Sequence, residues 1–132
     1  MIKPVMAMIL LLPCAATAAE MTCRKSPALT GKCSPVKGSL GLSPGLGVTV
    51  ISEDGTRILI KAPPDSNADI AVPVMQNWLY WQSKTGSMRT RITGTFEICP
   101  LPPPINSAGI KDAGCINKGT RISQDTTSSP GN

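Results

Sequence analysis

Four of the five cysteines, Cys23, Cys33, Cys99 and Cys115, lie beyond the apolar N-terminal run and limit this sequence more than any other feature. An even set of cysteines in a small exported protein forms a disulfide framework, and four cysteines allow three connectivities. Local closure is the simplest geometry, so the spacing favours Cys23–Cys33 with Cys99–Cys115. The second of these loops would contribute ~3 kcal/mol by the chain-entropy argument. A four-cysteine zinc site is the competing use. The spacings contain no close Cys-x-x-Cys pair and the chain has no histidine, so no metal is expected.

The disulfide reading depends on compartment, which the first residues address. Lys3 precedes an unbroken apolar run from Val5 to Leu12, and Ala16-Thr17-Ala18 places small residues where signal peptidase reads them. Residues 1–18 are therefore expected to be a signal peptide cleaved before Ala19. The run is far shorter than the ~20 residues that span a bilayer, which argues against a retained anchor. Cys14 raises the alternative of a lipid-modified cysteine. Pro13 at that scissile bond, followed by an intact Ala-Thr-Ala, favours ordinary cleavage. A periplasmic or secreted location follows.

What remains is one domain's worth of chain with a modest core. Residues 19–32 read as a polar arm carrying Arg24, Lys25 and Lys32. From Val36 to Leu42, Val36, Leu40 and Leu42 fall on one parity with Gly38 between them. That is a period-two strand with a bend. Leu46 to Ser52 and Arg57 to Ala62 are the next two strands, joined across Glu53-Asp54-Gly55, where Asp-Gly suits a primed hairpin turn. Pro73 ahead of Val74, Trp78 and Trp81, with Gly86 beyond, predicts a short helix, against a competing strand through Trp78–Gln82. Met88 to Cys99 alternates strictly, with Thr90, Ile92, Gly94, Phe96 and Ile98 on one face, and Pro100 is expected to break it. Cys115 to Ile122 makes a last strand, and residues 123–132 form a polar tail expected to be disordered.

Three strands, a short helix and two more strands is the order of the OB-fold, a small five-stranded barrel. Val36-Lys37-Gly38-Ser39-Leu40, the Asp54-Gly55 hairpin, and Gly94-Thr95-Phe96-Glu97-Ile98-Cys99-Pro100-Leu101 with Gly114-Cys115-Ile116 resemble the pattern of small exported bacterial OB-like proteins. The resemblance covers residues 33–122 and implies an all-β domain with one helix; it brings no functional residues. A small β-sandwich is the alternative.

The missing histidine excludes Ser-His-Asp and Cys-His catalysis, and oxidised cysteines leave no thiolate nucleophile. Gly41-Leu42-Ser43-Pro44-Gly45-Leu46-Gly47 lacks the lysine and helix of a phosphate-binding loop. Among the acids, Glu97 alone lies mid-strand, beside Arg91 and Thr95, where a cross-strand ion pair is its ordinary role. A carboxylate-based hydrolase is thus a distant alternative to a protein that is not an enzyme and takes no cofactor. The formal net charge of +5 favours anionic partners. Arg57 and Lys61 on one strand and Arg89 and Arg91 on another are expected to share a basic face, with Lys84 nearby. Such a face suits phosphate, sulfate or carboxylate groups, or solvates strands against edge-to-edge association. Trp78 and Trp81, with Tyr80, either add a stacking platform or plug the core. The expected function is a non-enzymatic binding module recognising a protein partner or an anionic envelope polymer. The alternative is an inhibitor of an exported hydrolase, inserting the Pro100–Pro104 loop held between Cys99 and Cys115.

Overall fold

The computed structural model describes residues 23–105, 110 and 112–124. The expected signal peptide, Cys14 and most of the expected tail lie outside them. A 3-10 turn over Cys23–Lys25 begins the described chain. It is followed by β1 (Ser34–Ser43), β2 (Gly47–Ser52), β3 (Arg57–Ile60), α1 (Val72–Thr85), β4 (Ile92–Leu101) and β5 (Asp112–Gln124). The strands close into a barrel in the order β1-β2-β3-β5-β4. β3 and β5 are parallel and every other pair is antiparallel. This is the small OB-like barrel that the element order implied.

Closure gives every strand a partner on both sides over part of its length, and one glycine makes the tight path of β1 workable. Gly38 pairs with Ser52 on one side and Gly94 on the other. A Cβ there would sit 2.3 Å from the Ile51 carbonyl oxygen, so only glycine fits. The β2–β3 turn differs from the primed type that Asp-Gly suggested. Gly55 N–H donates to Ser52 O and Ser52 N–H to Thr56 O, and Gly55 has φ 89° whereas Asp54 is not in the left-handed region. This is a three-residue loop with its bulge at the glycine. The Asp54 carboxylate accepts bonds from the Ser52 hydroxyl and the Thr56 N–H, which hold its pKa down at about 2.

The helix is longer than its periodicity showed, and the strand alternative for Trp78–Gln82 is excluded. Pro73 lies in the first turn, and Gly86 ends the helix by donating its N–H to Gln82 O. Val74 and Trp78 face inward and join Leu40, Val50, Ile60, Ile70, Ile92, Phe96, Ile98 and Ile116 in the main core. The indole N–H of Trp78 donates to Thr90 O at 2.9 Å, so its polar atom is satisfied inside the core.

β4 starts later and ends later than alternation predicted. Met88 to Arg91 lie before it, in the turn that returns from α1. Pro100 does not break it, because β1 pairs with β4 only as far as Ile98. Beyond that point Pro100 needs no N–H on that side, while its carbonyl accepts from Thr30 N–H at 3.0 Å. β5 extends two residues past Ile122, so Ser123 and Gln124 belong to the barrel rather than to the tail.

A second apolar cluster lies on the opposite parity of β4 and β5. Cys99, Leu101 and Cys115 alternate with the core residues Ile98 and Ile116, and Cys23, Ala28 and Leu29 of the arm pack against them. The expected connectivity is corrected here: the bonds are Cys23–Cys115 and Cys33–Cys99, with sequence separations of 92 and 66. Local closure lost because the arm lies across the β4–β5 pair, so that each of its cysteines meets a strand cysteine before it meets the other. Loops of this length contribute roughly 4–5 kcal/mol each by the chain-entropy argument.

Candidate functional site

The four cations expected on one face do not share a strand surface. Arg89 and Arg91 both precede β4, and Lys61 follows β3. The Arg91 guanidinium turns back over the outside of the barrel. Its Nε–H donates to Ser39 Oγ at 3.0 Å, and its Nη2 to Ser39 O at 2.7 Å and Thr49 O at 3.0 Å. The side chain crosses Gly41, where an added Cβ would meet it at 2.6 Å. Arg91 therefore ties β4's approach to β1 and β2. Lys61 Nζ donates to Pro102 O at 3.0 Å and steadies the β4–β5 connection. Arg57 is exposed at the start of β3, opposite Ile51.

The aromatic group divides in the same way. Trp78 is 5% exposed and Trp81 is half-buried against the core, so both plug the barrel. Tyr80 is exposed, with its ring edge-on to Trp81 and the Lys84 ammonium 5.9 Å from its centroid. Glu97 makes an ion pair, with the arm rather than with a strand neighbour: Arg24 Nε and Nη2 donate to its two oxygens at 2.9 and 2.7 Å, and Asn117 Nδ2 adds a third bond. The bonds from Arg24, opposed by partial burial and reinforced by Asn117, hold the Glu97 carboxyl below its ordinary value.

The outer side of α1 and the turn after it carry exposed apolar side chains close in sequence to cations. Val72, Leu79 and Tyr80 on the solvent side of α1, and Met88 just beyond it, are half or more exposed. Val72 and Leu79 are two helical turns apart and share a face. The same stretch is one-sided in charge: between Asp69 and Glu97 the chain has no acidic residue but carries Lys84, Arg89 and Arg91. Strand-by-strand parity hides this asymmetry, because it spans a helix, a turn and half a strand. A count of acids along the sequence reveals it.

Two shallow grooves lie on the outer surface among the described residues. One, of about 390 Å³, runs beside the β2–β3 turn between Lys37, Asp54 and Ile58. The other, about 410 Å³, lies under the arm and is lined by Arg24, Leu29, Gly31, Lys32, Cys33 and Glu97. The β4–β5 connection is the remaining prominent feature: Pro102 and Pro103 are exposed, and Ile105 is 89% exposed. No helix among the described residues is long and apolar enough to cross a membrane.

No protein-family model matches the sequence, and neither the curated proteins nor the solved structures give a match.

Proposed function

We propose that this chain is an exported, non-enzymatic binding module that engages an acidic partner through the outer face of α1 and the turn after it. The observation that carries this reading is the pairing of exposed Val72, Leu79, Tyr80 and Met88 with the acid-free stretch holding Lys84 and Arg89. Exposed apolar anchors with cations close in the chain suit a protein surface with an acidic rim better than a plain polyanion, which has no use for the apolar area. Two disulfides and a closed barrel keep the face rigid, so little order has to be gained on binding. The cystine pairs also suit an oxidising compartment, in keeping with the signal-like first residues.

The test is retention on an immobilised acidic polypeptide and on an anionic polysaccharide across a salt series. Salt-sensitive retention on the polypeptide should be weakened by both K84A/R89A and L79A/M88A. Retention unaffected by K84A/R89A would sink the proposal. Equal retention on both matrices with no effect of L79A/M88A would reassign the target to an envelope polymer.

A second reading has its own observation. Ile105 is 89% exposed beyond three consecutive prolines, on a connection held by Lys61. That is the build of an inhibitory loop directed at an exported hydrolase. Inhibition in this reading is lost on reduction and in I105A, while K84A/R89A leaves it intact.

A further inference from the structure

Three of the four sulfur atoms of the two cross-links lie together. The Sγ atoms of Cys23, Cys99 and Cys115 all lie within 4.8 Å of one another, although Cys99 is bonded to Cys33 and not to either of them. Cys99 and Cys115 are also register partners on antiparallel β4 and β5. Directly opposed residues in such a pair have Cα atoms about 4.5–5.5 Å apart, inside the range a disulfide spans. The backbone is thus already placed for a Cys99–Cys115 bond that the structure does not contain.

Access to the four sulfurs is unequal. Cys23, Cys99 and Cys115 are 0% exposed, whereas Cys33 is half-buried and lines the groove under the arm beside Arg24 and Lys32. An incoming thiolate can reach one end of one bond. Its negative charge is favoured there by the two cations, one of which is shared with Glu97.

We propose that the Cys33–Cys99 disulfide is a thiol-exchange site, through which a small-molecule or protein thiolate converts the observed pairing into Cys23–Cys33 and Cys99–Cys115. The external thiolate attacks Cys33 Sγ, forms a mixed disulfide there and releases Cys99 as a thiolate. Cys99 attacks Cys115 Sγ, forming the cross-strand bond and releasing Cys23 as a thiolate. Cys23 then attacks the mixed disulfide at Cys33, closes the arm upon itself and returns the external thiolate. Each step breaks one S–S bond and forms one, so nothing is oxidised or reduced overall and the thiol acts as a catalyst.

The exchange changes what holds the arm. In the observed pairing, residues 23–33 are bonded to β5 at one end and β4 at the other. After exchange the arm is joined to the barrel by the chain at Ser34 and by non-covalent ties that include the Arg24–Glu97 ion pair, Ser26 Oγ to Asp65, Thr30 N–H to Pro100 O and the packing of Ala28 and Leu29. Release of the arm uncovers the outer face of β4 and β5 around Leu101. The site acts as a thiol-triggered latch on that surface.

The experiment is peptide mapping without reduction. Trypsin cuts after Arg24, Lys32, Lys37, Arg91, Lys111 and Lys118, which puts each of the four cysteines on its own peptide. The oxidised protein is incubated with sub-stoichiometric reduced glutathione, quenched with acid, alkylated and digested. Both isomer-linked pairs should appear, in molar amounts above the thiol added. Only the two original pairs, or a mixed disulfide at Cys33 without the isomer pairs, would overturn the proposal. The C33S variant gives an independent measurement, since it leaves Cys99 as a free thiol without any added thiol. Alkylation shared between Cys99 and Cys23 is expected, and label confined to Cys99 would overturn it.

Discussion

Cys99 and Cys115 stand opposite each other across β4 and β5, yet each is bonded to a cysteine of the N-terminal arm instead of to the other. The arm is therefore a structural part of the domain. It supplies a lid of Cys23, Ala28 and Leu29 to a cluster that would otherwise expose Leu101 and both strand cysteines.

Removing one of these bonds tests that view. Replacing Cys23 and Cys115 together with serine is expected to cost about 2–5 kcal/mol of stability, as for disulfides of small exported domains. The barrel core does not depend on the arm, so the far-ultraviolet spectrum should stay β-rich while the denaturant midpoint falls. A midpoint within error of the parent would show that the arm contributes nothing to stability.

The cations that look alike in sequence should behave differently when substituted. R91A leaves the carbonyls of Ser39 and Thr49 without their charged donor, which is expected to cost about 1.5–3 kcal/mol. K84A alters an exposed position and should stay within about 0.5 kcal/mol. Chemical denaturation of the two proteins side by side makes the comparison. A destabilised K84A or a neutral R91A would reverse the assignment of Arg91 to the fold and Lys84 to the surface.

A single methyl group probes barrel closure. G38A would drive its Cβ into the Ile51 carbonyl, a backbone atom that cannot swing aside. Strain of that kind is expected to cost roughly 1–3 kcal/mol. G45A provides contrast, since nothing lies within 4 Å of its added Cβ and only its positive φ resists the change. Thermal midpoints should rank the parent above G45A and G45A above G38A.

These contrasts mark where the sequence was readable. The five strands and the helix were legible because Leu40, Val50, Ile60, Phe96 and Ile98 recur at the periods that burial imposes. The OB-like order followed from their succession. Strand ends were less legible: whether Pro100 can sit in β4 depends on how far β1 reaches alongside it, which is a property of the pairing. The disulfides were misassigned for a related reason. Sequence separation measures closure entropy, whereas the pairing here is set by an arm lying across two strands that are distant in sequence. Arg91 was read as a surface cation because alternation gives the side a residue leaves from but not where a long side chain ends. Glu97 was read as a member of a cross-strand ion pair; it is in an ion pair, but its partner Arg24 lies in the arm and not on a neighbouring strand.

That ion pair makes the arm's attachment sensitive to acid, and the direction follows from Glu97. Bonds from Arg24 and Asn117 hold its folded-state carboxyl below the ordinary value, so the unfolded chain binds the proton more readily. The contribution is complete above the unfolded carboxylate range, near pH 4.3 for an unperturbed glutamate. It is lost as the pH falls through that value and on through the lower folded one. R24Q removes the main cause of the shift. The difference in thermal midpoint between the parent and R24Q should therefore be widest near neutral pH and should close as the pH falls below about 4. Added salt should narrow it at neutral pH as well, because Arg24 is more than half exposed. E97Q serves as the reference, since it cannot ionise and should show no such convergence with R24Q/E97Q. A parent-to-R24Q gap that stays constant from neutral pH down to pH 3 would mean that the charge on Glu97 plays no part in holding the arm to the barrel.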